Sequence, residues 1–295
     1  MTKTSRKFKA MDIFLLLLTI LPILIAIFLK VIFTPASDGI NITGALVFFS
    51  VKFPIQDLII SESQVNSWAV ILSVLFLCLY LTHGIRTGAN TKRNLLCEWI
   101  VEKCDNLVNT NMGQHLIGFS PFIAAIMGLS AFSSLLSLVG LYAPTSDINV
   151  VGGWAVAVFI LITFYKFKLG PLHYIKSFGD PVPFLAPLNI ISEVATPVSM
   201  AFRHYGNILS GSVISVLVAA ALQGLSSLLL GWLPGFLGEF PFLRIGIPAV
   251  LSIYFDVFSS LLQAFIFAML TMLYVGGAFT FSDYQEKLKR KNKVK

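Results

Sequence analysis

The sequence predicts an all-α polytopic membrane protein with about six membrane helices, the last two forming a long, tilted antiparallel hairpin. Three observations carry this. Only 12% of the residues are charged, against about 25% in an ordinary soluble domain, and the mean hydropathy is +0.84. Apolar runs recur at lengths that suit a ~30 Å hydrocarbon core, which takes about 20 helical residues. Basic residues collect at every second loop. The 21 basic and 14 acidic side chains are too few to cover the cores of a water-soluble chain of 295 residues.

Residues 11–33 form the first run, preceded by Lys3, Arg6, Lys7 and Lys9. It is too long for an ordinary signal-peptide core and the TPASDG that follows is a poor cleavage site, so it reads as a retained helix. Residues 34–67 form a mixed loop whose VFFSVKFPI segment suits either a short strand or an interfacial anchor. Further runs span 68–81, 119–142 and 150–165, the first of these short at its polar end. The last two, 184–232 and 245–281, exceed a perpendicular span, which implies tilt, kinks or helix lying partly in the membrane plane. Between the second and third crossings, within 84–118, Leu95, Leu96, Trp99, Ile100 and Leu107 recur at helical spacing. That segment reads as an amphipathic helix on the cytoplasmic surface or as a solvated helix packed on a partner subunit.

The net charge of +7 raises the question of nucleic acid, and the positions of the charges answer it. Seventeen of the 21 Lys and Arg fall on one side of the membrane: those before the first helix, then Arg86, Lys92, Arg93, Lys103, Lys166, Lys168, Lys176 and the six of the tail. Lys30, Lys52 and Arg244 fall on the other. The excess marks the cytoplasmic side, so both termini face the cytoplasm and the basic charge belongs to membrane topology, with no nucleic-acid partner. Cys78, Cys97 and Cys104 form no disulfide framework and no CxxC metal pattern, and read as unbridged thiols. His83, His115 and His173 lie at solvated edges. No phosphate loop, HExxH or nucleophile elbow is present, so ATP chemistry is not expected on this chain and no cofactor is implied.

The chemistry sits in the last two runs. Ser192, Thr196, Ser199, Arg203, Asn207 and Ser210 follow one another by 4, 3, 4, 4 and 3, which puts them on one helix face. Ser252, Asp256, Ser259 and Gln263 repeat the pattern at 4, 3 and 4, and GWLPGFLGEFPF between the two would turn the chain into a hairpin. An arginine at mid-membrane costs about 2.5–3.5 kcal/mol even on the lenient scale, so Arg203 needs a partner, water or a task. Asp256 and Glu193, the latter ten residues earlier, are the internal anions available. The residues are compatible with a structural ion pair that fixes the hairpin register, or with an ion pathway in which hydroxyls, an amide and a carboxylate hold water and pass protons.

At these positions the sequence resembles subunit a of the membrane sector of F-type ATP synthases, bacterial type. NIISEVATPVSMAFRHYGNILSG, followed by LLQAFIFAMLTMLYVG, carries the resemblance, and LVGLYAPTSDINVVGGWAVAVFILITFYKFK upstream extends it over residues 68–277. The resemblance implies that Arg203 faces the rotating c-ring, that Gly206 and Asn207 are the pair following the arginine, and that Gln263 stands across from it. It implies that Asp256 belongs to the outer half-channel and that Glu193, with Asn189, lines the cytoplasmic one; by their spacing alone, Ser199 and Ser210 extend the ion-translocating stripe. Ser259 and Asp147, the latter in the PT-x-D-x-N segment with Asn149, are weaker channel candidates, and Asp147 equally suits a structural turn. Three positions depart from the family, one of them Tyr205 in place of the usual phenylalanine. Ser212 stands where many relatives carry an acidic partner for the outer carboxyl, which puts that passage's composition in doubt, and His204 replaces the usual leucine, with packing favoured over proton relay.

The implied function is an ion-translocating stator that passes protons to and from c-ring carboxylates, itself non-catalytic, with the c-ring, subunit b of the peripheral stalk and the lipid bilayer as partners. The implied location is the bacterial plasma membrane. Alternatives are the same role with Na⁺ as coupling ion, or a stand-alone secondary transporter, although the inverted repeats usual in such folds are missing. The organisation read from the sequence is a basic N-terminus and first helix (1–33), an extracytoplasmic loop (34–67), helices two to four (68–183), the translocating hairpin facing the c-ring (184–281) and a basic cytoplasmic tail (282–295).

Overall fold

A computed structural model describes residues 3–34, 44–54, 57–83, 85, 92–171, 174–175, 178–179, 182–230, 246, 248, 250–282 and 285. The hairpin connection at 231–242, the basic residues of the tail, Arg86, Lys176, Arg244 and His173 lie outside them. Six helices among the described residues are long and apolar enough to cross a membrane: Ala10–Phe33, Glu62–Thr82, Gln114–Val139, Ile148–Lys168, Pro183–Leu229 and Val250–Ala278. The polarity is inverted relative to a soluble fold. Phe28, Leu188 and Phe202 are exposed, whereas Glu62, Ser63, Asn66, Ser130 and Thr271 are buried, as expected where the surrounding solvent is hydrocarbon. The chain is an all-α polytopic membrane protein.

The helices are α1 (Lys3–Phe33), α2 (Glu62–Thr82), α3 (Lys92–Met112), α4 (Ser120–Leu135), α5 (Ile148–Leu169), α6 (Ala186–Leu230) and α7 (Ser260–Ala278). A π-helical stretch, Ile253–Ser259, leads into α7. At 45 residues, α6 is about 68 Å long, more than twice the ~30 Å hydrocarbon thickness. The chain divides into two units, one of Met1–Leu77, Leu129–Asp147 and Tyr205–Gln263, the other of Cys78–Gly128, Ile148–His204 and Ala264–Lys295.

In the first unit, VFFSV forms strand β1 (Val47–Val51), which pairs antiparallel with β2 (Leu58–Ser61), so this part of the loop is a short hairpin. Phe33 at the end of α1 meets Phe48 and Phe49 with ring centroids 5.3 Å away in each case. α2 begins at Glu62, earlier than its apolar run, because distant groups satisfy its polar first turns. Glu62 pairs with Lys30 at 2.9 Å and accepts the Tyr142 N–H at 3.1 Å, while the Asn66 amide donates to the Tyr142 carbonyl at 2.8 Å. Ala26 of α1 is buried with Ala69, Val70, Leu136 and Leu141, so α1 is packed into this unit.

The second unit has the larger core, with Val108, Met112, Ile123, Val158, Met200, Phe267 and Met272 buried together. α3 adds one face to this core, with Leu107 partly buried against it, and keeps the rest of its apolar stripe outside it. Cys104, Val108 and Met112 are buried, whereas Leu95, Leu96, Trp99 and Ile100 remain exposed. Met112 lies against α7 at Gly276, where an added Cβ would meet the Met112 backbone at 3.5 Å, ordinary contact distance. His115 bonds the Phe279 carbonyl at 3.0 Å, which fastens the segment after α3 to the end of α7.

Candidate functional site

The polar stripe lies on one continuous helix. Ser192, Thr196, Ser199, Arg203, Asn207 and Ser210 all fall within α6. Ser192, Ser199, Arg203 and Ser210 are exposed, with Thr196 and Asn207 half-buried. An exposed guanidinium on a helix otherwise coated with Phe202, Val198 and Val194 is expensive in hydrocarbon. Within its own unit Arg203 makes no ion pair among the described residues. The two carboxylates expected as its partners are engaged locally: Glu193 with Lys166, and Asp256 with Ser252.

The first unit brings α6 and the π-helical stretch together. The Asn207 amide donates to Ser259 Oγ at 2.8 Å, and that hydroxyl donates back to Asn207 Oδ1 at 3.1 Å. One turn further along α6, a Cβ on Gly211 would stand 3.1 Å from the Phe255 side chain, so glycine permits the contact. Advancing four residues on α6 while retreating four on its partner means that the two run antiparallel. The π turn was not foreseeable from apolar spacing. Its i→i+5 bonding places more residues in each turn, so the 4-3-4 spacing through Asp256 and Ser259 does not describe one α-helical face. Ser260 Oγ reaches the Phe255 carbonyl, five residues back, at 3.2 Å. Ser252 donates to the Asp256 carboxylate, Ser212 donates to the Leu209 carbonyl at 2.8 Å, and Gln263 is buried.

The second unit places Glu193 and Asn189 in a cavity of about 360 Å³, with Ser192 and Thr196 from α6, Ile162 and Lys166 from α5, Phe178, and Leu273, Tyr274, Gly277 and Ala278 from α7. Glu193 Oε1 accepts from Lys166 Nζ and from the Tyr174 hydroxyl, each at 2.9 Å. Burial, then the hydrogen bond and charge of Glu193, push the Tyr174 phenol up to about 12. The Asn189 amide donates to the Phe178 carbonyl at 2.8 Å. Pro197 lies inside α6 and has no N–H, which leaves the Glu193 carbonyl without its usual i+4 donor beside the cavity. Lys166 and Tyr174 were missed as site residues, because they lie 27 and 19 positions from Glu193 and only tertiary packing joins them.

His204 is fully buried, with its ring centroid 6.1 Å from that of Trp154 and 5.6 Å from that of Phe267, both edge-on. Asp147 follows the 3₁₀ turn Pro144–Ser146, and its N–H donates to the Pro144 carbonyl at 3.0 Å. Thr145 in that turn is buried and bonds Ser134 at 2.9 Å.

Residues 65–276 match the family described as ATP synthase A chain. A protein of Trichlorobacter lovleyi called ATP synthase subunit a is 30% identical over 79% of this chain and 95% of its own length. One of that name from a Sulfurihydrogenibium species is 31% identical over 63% of this chain and 82% of its own, and one from Legionella pneumophila is 26% identical over 79% and 92%. The match spans most of the chain and the six membrane helices agree with it, and the chain belongs to the ATP synthase A chain family.

Proposed function

We propose that this chain is the ion-translocating stator of a rotary ATP synthase, with both termini in the cytoplasm, and that the exposed face of α6 runs against a ring of c subunits while subunit b holds the chain in place. The observation that carries this is Arg203, exposed on a membrane helix with no ion pair in its own unit among the described residues. Such a charge calls for an anion from outside the unit, and a membrane carboxylate on a passing subunit supplies one.

The chemistry follows from the guanidinium. It does not deprotonate inside a protein, so Arg203 remains a fixed cation and cannot leak protons. A carboxyl of the ring arriving beside it is favoured in its ionised form and releases its proton there. Two passages, one open to each side, would then supply and remove protons, and each proton crosses only by riding the ring. The cavity at Glu193, Asn189, Ser192 and Thr196 suits the cytoplasmic passage, and Asp256 with Ser252 suits the outer one, with Ser212 offering a hydroxyl in place of a second acid. A membrane potential provides about 2.3 kcal/mol per charge per 100 mV to drive the ring. ATP chemistry belongs to other subunits of the complex.

The test is ion flux through the complete complex in vesicles, wild type against Arg203→Ala, with proton and Na⁺ gradients imposed separately. Coupled flux should vanish in the variant while assembly persists, and the gradient that drives the wild type names the ion. Coupled flux in the assembled variant would overturn the assignment.

A further inference from the structure

Resting on the proposed function, we propose that Lys166 and Tyr174 are positioning residues, forming a clamp that fixes the Glu193 carboxylate at the mouth of the cytoplasmic passage. Both donors converge on Oε1, each at 2.9 Å. Among the described residues nothing bonds Oε2, which therefore keeps its lone pairs for water or a moving proton. The Glu193 side chain is 12% exposed and that of Lys166 32%, so the pair sits at a boundary, screened less than a surface pair and reached by water from one side.

The clamp is itself held in place. Tyr174 packs between Phe167 and Phe178, with ring centroids 4.8 and 4.9 Å away, so its phenol has little freedom. Phe178 is fastened to α6 through the Asn189 amide. Lys166 lies 5.6 Å from the centre of the Tyr174 ring, close enough for the cation and the ring face to attract each other. The chain from the end of α5 to the start of α6 thus carries a cation and a phenol onto one oxygen of a carboxylate one turn before Pro197. An unclamped glutamate would sample its rotamers across the cavity, and its free oxygen would meet the water path only part of the time. Lys166 also sets a cation directly against the Glu193 carboxylate at the mouth.

The experiment compares proton flux through the complete complex in vesicles, at matched assembly, for Glu193→Gln, Lys166→Met, Lys166→Arg, Tyr174→Phe and the Glu193→Gln/Lys166→Met pair. Lys166→Met should fall roughly tenfold, about the worth of one hydrogen bond to a charged group. Lys166→Arg should restore most of the flux, which a merely space-filling role would not require. The double variant should be no slower than Glu193→Gln alone, because the clamp acts only through that carboxylate. Tyr174→Phe removes a single hydroxyl and should also slow flux, which carries the test if Lys166→Met fails to assemble. Wild-type flux in Lys166→Met beside a slow Glu193→Gln, or losses that multiply in the double variant, would overturn the clamp and leave the role of Arg203 standing. Wild-type flux in Glu193→Gln would remove this cavity from the path and the clamp with it. Coupled flux in Arg203→Ala is a separate failure, of the functional reading itself.

Discussion

Asn207 and Ser259 exchange side-chain hydrogen bonds, the amide donating at 2.8 Å and the hydroxyl returning a bond at 3.1 Å. The pair joins α6 one turn after Arg203 to the π-helical stretch that holds Asp256. Side-chain hydrogen bonds between membrane helices average about 0.6 kcal/mol. Asn207→Ala and Ser259→Ala should each cost about 1 kcal/mol, and together little more than one alone. Reversible unfolding in mixed micelles gives the cycle, and fully additive losses would mean that the two side chains act separately.

Gly211 faces Phe255 so closely that an added Cβ would stand 3.1 Å from its side chain and a larger group would push it aside. Gly211→Leu should slow ion flux and lower thermal stability, and adding Phe255→Ala should recover part of both, because the second change opens the space that the first one fills. A Gly211→Leu variant as stable and active as the wild type would show that the helices have slack at this crossing.

His204 is buried between Trp154 and Phe267, so its first requirement is volume. His204→Leu should keep most of the flux, whereas His204→Ala should cost about 2–5 kcal/mol through the cavity it leaves. A tenfold loss of flux in a normally assembled His204→Leu would assign the ring a chemical role.

The Tyr174 phenol is pushed up to about 12 by burial and by its bond to Glu193, from an ordinary value of about 10. The fold holds this proton more tightly than the unfolded chain does. The resulting stability is complete below pH about 10 and is lost as the pH rises towards 12. Phenolate absorbance at 295 nm, wild type minus Tyr174→Phe, should reveal one group titrating near 12, and a midpoint near 10 would place the phenol in open water.

The membrane helices were legible because long apolar stretches have few other uses, and the polar stripe of α6 because five spacings agree with one helix. What escaped were features fixed by partners far along the chain. The early start of α2 depends on Lys30 and Tyr142, and the surroundings of Glu193 depend on Lys166 and Tyr174. No periodicity encodes those meetings. The π turn at Asp256 escaped for another reason, since underwinding by one residue leaves composition unchanged. On α3 the apolar spacing of Leu95, Leu96, Trp99 and Ile100 marks a face that stays exposed, while Val108 and Met112 enter the core.

Disulfide trapping can read out whether the Arg203 face of α6 runs against a rotating ring. In a complex with Cys78, Cys97 and Cys104 replaced by alanine, Ser199→Cys and Ser210→Cys, both on the exposed stripe, would be oxidised against single cysteines placed within one turn of the c-subunit carboxyl. Cross-links should form that stop ATP-driven pumping until a reductant restores it. Cross-links that form while pumping continues, or none on the stripe while the opposite face of α6 captures the ring, would contradict this arrangement.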